Sequence, residues 1–467
     1  MKLLVINIAL RPPPARKSLP LGLGYVVSAI KRAGFELDLL DLDASDQTEE
    51  QTEQFLRTHR YDVVAMGCIV TGYKHVKWLS ETVKKTFPST VVIVGNTVAQ
   101  SIPSILLNRT AADIAVMSEA DETIVELLNC IREKGDLKSV RGISYKEKNE
   151  LIVTKPRPVI ENIDSIPFPD WSLFNIEVYI DSQTQAMMEY ISESERTNVR
   201  VMPINTARGC PFKCTFCYHI FRNERYRWRS AESIVAEMKL LHKKHDINFF
   251  TFFDELTFFS IPQAERFADV LIASGLNVHW TADCRSGLFV NEEHGRVAGK
   301  LKKAGCLWLG FALESAAPEI LKWMDKKVGV EAFTRQVSIL KKAGLRSFTS
   351  LVLGYPNETP ETIKATIDCC IANEIYPSAG YLLPQPGSPM YDYALQYGYI
   401  KDEESYLLAM GDRQDLRLNM TSMSDAQLED IVKNELARCS HELGLNLSAG
   451  TLLKTGYFRT TKSKKDE

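Results

Sequence analysis

The chain has 467 residues, 45% of them hydrophobic and 25% charged, with a formal net charge of −3. That is ample for two or three globular domains, and the near-neutral balance supplies no electrostatic reason for a nucleic acid or anionic membrane partner. No run of 18 or more apolar residues is present to span a bilayer, and ten cysteines without a secretory signal point to a reducing, cytoplasmic setting.

Residues 1–135 alternate apolar runs with amphipathic segments. Strands are predicted at 3–9, 36–42, 62–69, 90–95 and 114–118, with helices near 22–33, 48–59, 73–87, 100–108 and 121–135. Continuous apolar strands separated by helices predict an α/β domain, a doubly wound, Rossmann-like parallel sheet. Ligands of such sheets bind beyond the carboxyl ends of the strands. Those ends carry Gly22 and Gly24, Thr71, Gly95 and Asn96, and Ser118 and Glu119. Small residues there let a large ligand approach the backbone. No G-x-G-x-x-G loop follows the first strand, which argues against a dinucleotide.

Residues 136–200 read as a linker. It holds a hairpin over 140–154, a proline-punctuated crossing at 164–170, and an irregular polar stretch at 176–200 that could lie over an active site. A second β/α series fills 201–395, with strands at 201–206, 248–254, 278–283, 307–313, 347–353 and 378–383. Six such units predict a partial (β/α)6 barrel whose strand carboxyl ends form the mouth. Residues 396–467 form a helical C-terminal tail. In it Ser424 is a fitting N-cap for a helix over 425–441, and the last six residues should fray.

The first barrel strand runs into Gly209-Cys210-Pro211-Phe212-Lys213-Cys214-Thr215-Phe216-Cys217-Tyr218. Three thiols at C-x3-C-x2-C spacing on a Gly/Pro loop can ligate an iron–sulfur cluster, and without a nearby fourth cysteine one iron stays open. The plain alternative is a zinc knuckle, which needs a closed set of four ligands. No second pair appears nearby, and His219 lies too close to Cys217 to complete one comfortably.

The spacing, with Phe216 at an aromatic position, resembles the C-x3-C-x-aromatic-C signature of the radical S-adenosylmethionine (SAM) enzymes. The loops of 1–135, Pro20-Leu21-Gly22-Leu23-Gly24-Tyr25 among them, resemble the cobalamin-binding domain that precedes the barrel in one large class of them. The sequence lacks the D-x-H-x-x-G motif of other cobalamin proteins, as is usual for that class, and has Asn96 where a second glycine is common. The resemblance implies three cofactors: cobalamin, a [4Fe–4S] cluster on Cys210, Cys214 and Cys217, and SAM chelated at the open iron. Asp254 or Glu255, in a segment similar to the family's GGE motif, would take the ammonium of SAM, and Glu314 its ribose or methionyl end. Arg285 would neutralise a carboxylate or pair with Glu314 or Asp283, while Tyr218 and Leu353 would pack on adenine.

The activity implied is a cobalamin-dependent radical SAM methyltransferase. It would methylate an unactivated carbon by way of a 5′-deoxyadenosyl radical and methylcobalamin. The substrate would be a small molecule or a peptide or protein side chain, and the electron donor flavodoxin or ferredoxin. The alternative is a cyclase or rearrangement enzyme of the same build without methyl transfer. A non-catalytic cobalamin sensor is disfavoured by the intact cysteines and both acidic strand ends. No individual catalytic residue is assigned.

Overall fold

The computed structural model describes residues 1–11, 16–188, 190–191, 198–411 and 414–453. Five parallel strands come first: β1 (Leu3–Asn7), β2 (Leu37–Asp41), β3 (Val63–Gly67), β4 (Val91–Gly95) and β5 (Ile114–Val116). All five residues of β1 are buried, because helices cover both faces of the sheet. Leu3 and Val5 point to one core with Val27, Ile30 and Leu127, and Leu4 and Ile6 to another with Val76, Leu79 and Leu106. This is the period-two division of a strand, applied to a sheet with no wet face.

The hairpin β6 (Ile143–Glu147) and β7 (Glu150–Val153) does not bridge two domains. It pairs antiparallel with β5 and completes a seven-stranded sheet in the order 2-1-3-4-5-6-7. Short β5 would otherwise offer a bare edge, and Ile143 and Tyr145 bury against the core it exposes. The order reverses between β1 and β3, and the crevice beyond that switch point is where such sheets take ligands.

The polar stretch after residue 175 is not irregular throughout. Ile176–Met187 is a helix that buries Ile176, Tyr179, Ile180, Gln183 and Met187 along one face. Two of these are polar and therefore hid the period. Tyr179 donates to Asp41 at 2.7 Å, and Gln183 Nε2 donates to the carbonyl of Lys17 at 2.8 Å. Residues 189 and 192–197 lie outside the described set, as does the end of the tail from 454 onward.

The second series opens with β8 (Val201–Ile204), followed by a two-stranded antiparallel pair, β9 (Ala207–Arg208) and β10 (Arg227–Trp228). Then come β11 (Phe249–Phe252), β12 (His279–Asp283), β13 (Cys306–Gly310), β14 (Arg346–Phe348), β15 (Ser350–Leu353) and β16 (Ser378–Tyr381). Strands 8-11-12-13-14 form one parallel sheet, and β15 continues the wall in parallel with β16. The break falls at Thr349, whose hydroxyl accepts from the amide of Leu313 at 2.9 Å. The result is an open six-stranded barrel. Phe250, Phe252 and Trp280 face the outer helices, while Val201, Phe249 and Trp308 face inward with Phe348 and Met187.

The tail holds the two halves together. Glu404, on helix Glu403–Ala409, meets Lys77 at 3.1 Å and Tyr73 at 3.1 Å on the first sheet's helix Tyr73–Thr86. Helix Asp425–Glu442 opens with the Ser424–Gln427 capping box and packs on Pro360–Ala372. Among the described residues no helix is long and apolar enough to cross a membrane.

Gly24 and Gly22 part company here. A Cβ on Gly24 would lie 2.3 Å from the buried Trp171 ring, so Gly24 serves helix packing and is not exposed to a ligand. A Cβ on Gly22 meets nothing within 4 Å. Gly24→Ala should cost about 1–3 kcal/mol by overpacking. Gly22→Ala, in a helix, should be neutral or slightly stabilising. Urea unfolding of the two variants checks both.

Candidate active site between the sheet and the barrel mouth

The cysteine loop begins at Gly209, whose φ of 89° strains any side chain and where an added Cβ would lie 3.1 Å from Phe221. The buried guanidinium of Arg222 gathers the loop from behind. Its Nη1 donates to the carbonyls of Cys214 at 2.9 Å and Cys217 at 2.7 Å, and its Nη2 to that of Lys213 at 3.0 Å. Thr215 ties the front to the barrel through the Trp323 carbonyl at 2.9 Å and the Tyr355 hydroxyl at 3.0 Å. Phe216 packs into the cluster of Ile320, Met324 and Tyr355. It therefore anchors the loop.

All three thiols are free and half-buried. Burial pushes Cys217 up to about 12, and the thiols of Cys214 and Cys210 push it the same way, so the three crowd one another. Among the described residues no three His, Cys, Asp or Glu side chains converge on a single ion. In a cubane each thiolate takes a different iron, so three neighbouring thiols on one loop suit a cluster.

Around them the barrel strands end in carboxylates with different tasks. Asp254 is spent on the fold. It accepts from the amide of Thr206 at 2.7 Å, the amide of Ala207 at 3.1 Å and the hydroxyl of Thr257 at 2.8 Å, and also from the Thr206 hydroxyl. That leaves no lone pair for an ammonium. Glu255 is different: it accepts from its own amide and, at a long 3.3 Å, from the Gly209 amide, and its charge reaches Cys210 and Cys217. Burial pushes its carboxyl up. Glu314 is buried with φ 64°, a strained setting for a side chain of its size, and its carboxylate meets Lys326 at 3.4 Å.

Arg285 pairs with neither Glu314 nor Asp283. Its guanidinium lies 3.8 Å above the Phe212 ring and donates to the Lys327 carbonyl at 2.5 Å. An aromatic face and a carbonyl hold it beside the thiols, with further N–H donors left for a ligand. Asp283 has accessible surface but is walled in by protein, which puts that surface in the barrel interior. Burial and Asp254 push it up to about 6. Leu353 is fully buried and cannot touch adenine. Lys326, Arg222 and Gln100 were not legible as site residues, since nothing in their spacing distinguishes them from surface residues.

The first sheet presents its switch-point crevice to this mouth. A Cβ on Gly22 or Gly95 would enter open space, and large apolar Leu10 and Ile69, following β1 and β3, are exposed. Thr71 sits half-buried in the adjoining turn, Val70–Gly72. Asn96 adopts φ 70° and ψ −163°, a conformation natural to glycine, and holds it by accepting from the Thr97 amide at 2.6 Å. An open glycine cradle with an apolar floor fits a broad, flat ligand such as a corrin.

Glu119 is not part of that cradle. Buried, it accepts from Arg208 at 2.7 Å, Arg227 at 2.8 Å and the Ile160 amide at 2.6 Å. Asp121 adds a second carboxylate on Arg208 at 2.9 Å. Ser118 (φ 59°) donates its amide to Gln100 at 2.8 Å. Tyr218 is wedged against Gly387, where a Cβ would lie 2.4 Å from the ring, and its hydroxyl lies near the Gln100 side chain.

The family model for the radical SAM superfamily matches residues 204–370, and that for the B12 binding domain matches 15–128, together more than half of the chain. An uncharacterised methyltransferase of Pyrococcus horikoshii is 27% identical over 403 residues, covering 84% of this chain and 83% of that protein. The anaerobic magnesium-protoporphyrin IX monomethyl ester cyclase of Rubrivivax gelatinosus is 28% identical, over 74% of this chain and 61% of that one. The methyltransferase TsrM from Kitasatospora setae, solved with cobalamin and a [4Fe–4S] cluster bound, superposes with a TM-score of 0.67. That likeness, at 20% identity over 85% of this chain and 78% of that one, shows a shared fold. The expectation of cobalamin, a [4Fe–4S] cluster and SAM as cofactors agrees with both family models. A B12-binding sheet whose crevice faces a three-cysteine barrel mouth thus has its explanation: the chain belongs to the cobalamin-dependent radical SAM enzyme family of these methyltransferases.

Proposed function

We propose that the protein methylates an unactivated carbon of a small molecule or of a peptide side chain. The observation that carries this reading is the contact between the two strand-end faces: Gln100, on the helix that follows Gly95 and Asn96, donates to the Ile220 carbonyl just beyond the cysteine loop. Radical chemistry and methyl delivery must reach one substrate carbon, and strand-end faces joined side by side serve that proximity demand. When bound, the cluster and SAM supply a 5′-deoxyadenosyl radical, and the corrinoid supplies the methyl group.

The chain's own residues bind and orient. Cys210, Cys214 and Cys217 hold the cluster, with Arg285 and Lys326 supplying the positive charge that favours thiolates. Glu255, the least committed carboxylate near them, accepts the ammonium of SAM. Lys326, held by Glu314, donates to the carboxylate of SAM. Exposed Phe253, at the end of β11, gives the mouth an apolar wall against water. Asp283 faces the substrate side of the lumen as a hydrogen-bonding carboxyl. The electron comes from an external one-electron reductant of the flavodoxin or ferredoxin type.

Anaerobic reconstitution with iron, sulfide and hydroxocobalamin, followed by assay with methyl-labelled SAM, tests the reading. Cys214→Ala should keep its cobalamin and lose 5′-deoxyadenosine formation. Cleavage that survives in that variant would sink the cluster assignment. Wild-type turnover that leaves the product unlabelled would favour the ring-forming chemistry named for the Rubrivivax relative.

The two adjacent carboxylates should separate cleanly. Glu255→Gln should weaken SAM binding by about ten- to a hundredfold, the range for a lost charge-assisted hydrogen bond of about 1.5–3 kcal/mol. Asp254→Asn should instead lower the unfolding midpoint, because amide hydrogens replace an acceptor of several hydrogen bonds. Equilibrium dialysis with SAM and thermal unfolding distinguish them.

Asp283 gives a pH test. Its carboxyl, pushed up from 3.8 to about 6, holds its proton more tightly in the native state than in the unfolded chain. The native protein therefore loses stability as pH rises through this window, and the loss is complete above about 6. Asp283→Asn should raise the urea midpoint at pH 7.5, and the gain should shrink as pH falls towards 4. An equal gain at both ends would show that Asp283 is not the titrating group.

A further inference from the structure

We propose that Gln100 is a positioning residue that couples occupation of the B12 crevice to the geometry of the cysteine loop. The inference rests on the cofactor assignment above and goes beyond it by naming the side chain through which the two sites communicate.

Gln100 lies on the five-residue helix Thr97–Ser101, which starts directly after Gly95 and Asn96. The first residue of that helix already faces the crevice loops: the Thr97 hydroxyl accepts from the Val70 amide at 2.8 Å, beside Thr71. One turn later, Gln100 spends its whole amide between the two halves of the molecule. Its Oε1 accepts from the Ser118 amide at 2.8 Å, on the acidic loop of the first sheet. Its Nε2 donates to the Ile220 carbonyl at 2.9 Å, three residues beyond Cys217. The Tyr218 hydroxyl lies near the same amide.

The path has little slack. Gly387 on one side leaves no room for the Tyr218 ring to retreat, and Arg222 fixes the carbonyls of Cys214 and Cys217 on the other. At the crevice end, Asn96 and Ser118 hold left-handed backbone, with φ of 70° and 59°. Any adjustment of either residue to a ligand redirects the groups that Gln100 and its helix bind. A primary amide is suited to this place because it accepts from one half and donates to the other at once, which neither a carboxylate nor an ammonium can do. Coupling of this kind is reciprocal: whatever bound cobalamin contributes to the cluster loop, a loaded cluster returns to cobalamin affinity by the same factor.

Equilibrium dialysis of hydroxocobalamin against full-length protein, with the cluster loaded and after iron chelation, reads that factor directly. In the wild type, cluster loading should tighten cobalamin binding by about fivefold or more, the lower end for coupled sites. Gln100→Ala should bring the ratio of the two dissociation constants to about one. Gln100→Glu keeps the acceptor for Ser118 but loses the donor to Ile220, and should also abolish the ratio while retaining cobalamin. A purely structural Gln100 would weaken both constants together and preserve the ratio. A preserved ratio in both variants, or a wild-type ratio of one, overturns the coupling alone. A wild-type protein that retains no hydroxocobalamin overturns this inference together with the cofactor assignment.

Discussion

The arrangement depends on a buried knot of charge where the two halves meet. Glu119 and Arg227 each leave 3% of their side chains accessible, and Arg208 joins them at 14%. Charges this deep persist because each has its partner, and removing one strands the others without water. Arg208 is gripped further by Asp121 and lies over the ring of Tyr25, 5.3 Å from its centroid. Arg227 packs over Phe221 and also reaches the Ile160 carbonyl at 2.7 Å. The knot thus draws on the first helix, the loop after β5, the linker, and the β9–β10 pair flanking the cysteine loop. A geometry-sensitive reaction between two separately bound cofactors needs a joint that does not slide, and directional charge pairs resist sliding better than apolar packing alone.

A second device of the same kind operates inside the barrel. Asp254 binds the chain where it leaves β8, so the start of the cysteine loop is indexed to the end of the neighbouring strand. Arg222 then indexes the far end of the loop to its own carbonyls. The thiols are thereby held near one another before any iron arrives, at the cost of raised thiol proton affinity. Metal binding displaces those protons, so part of the binding energy is spent on this crowding.

These knots explain what the sequence could and could not show. The β/α alternation was legible because a parallel sheet covered on both faces must be written as continuous apolar runs, as in Leu3–Asn7. The cysteine triplet was legible because ligands held by one loop are close in sequence. Glu119, Asp254 and Gly24 stood at the right positions for ligands, yet each serves long-range packing or pairing. An acidic or glycine residue at a strand end reads the same whether its partner is a cofactor, an arginine 108 positions on, or a tryptophan ring. Leu353 was assigned to adenine by resemblance to the family's strand ends, and its side chain faces the core. The helix Ile176–Met187 was missed because Tyr179 and Gln183 are buried through hydrogen bonds that only the fold supplies.

Three points of backbone strain lie in the same region. Asn96, Ser118 and Glu314 all hold positive φ without being glycine, and all three follow strands that end at the shared space. Single residues in such conformations cost of order 1–3 kcal/mol and persist only where their surroundings over-determine them. Here the surroundings are identifiable: Thr97 for Asn96, Gln100 for Ser118, and Lys326 with Ser350 for Glu314. Each strained residue is thus pinned by a neighbouring side chain. Strain placed in this way keeps these strand ends from relaxing into ordinary turns, whose carbonyls and side chains would crowd the region where the two strand-end faces meet.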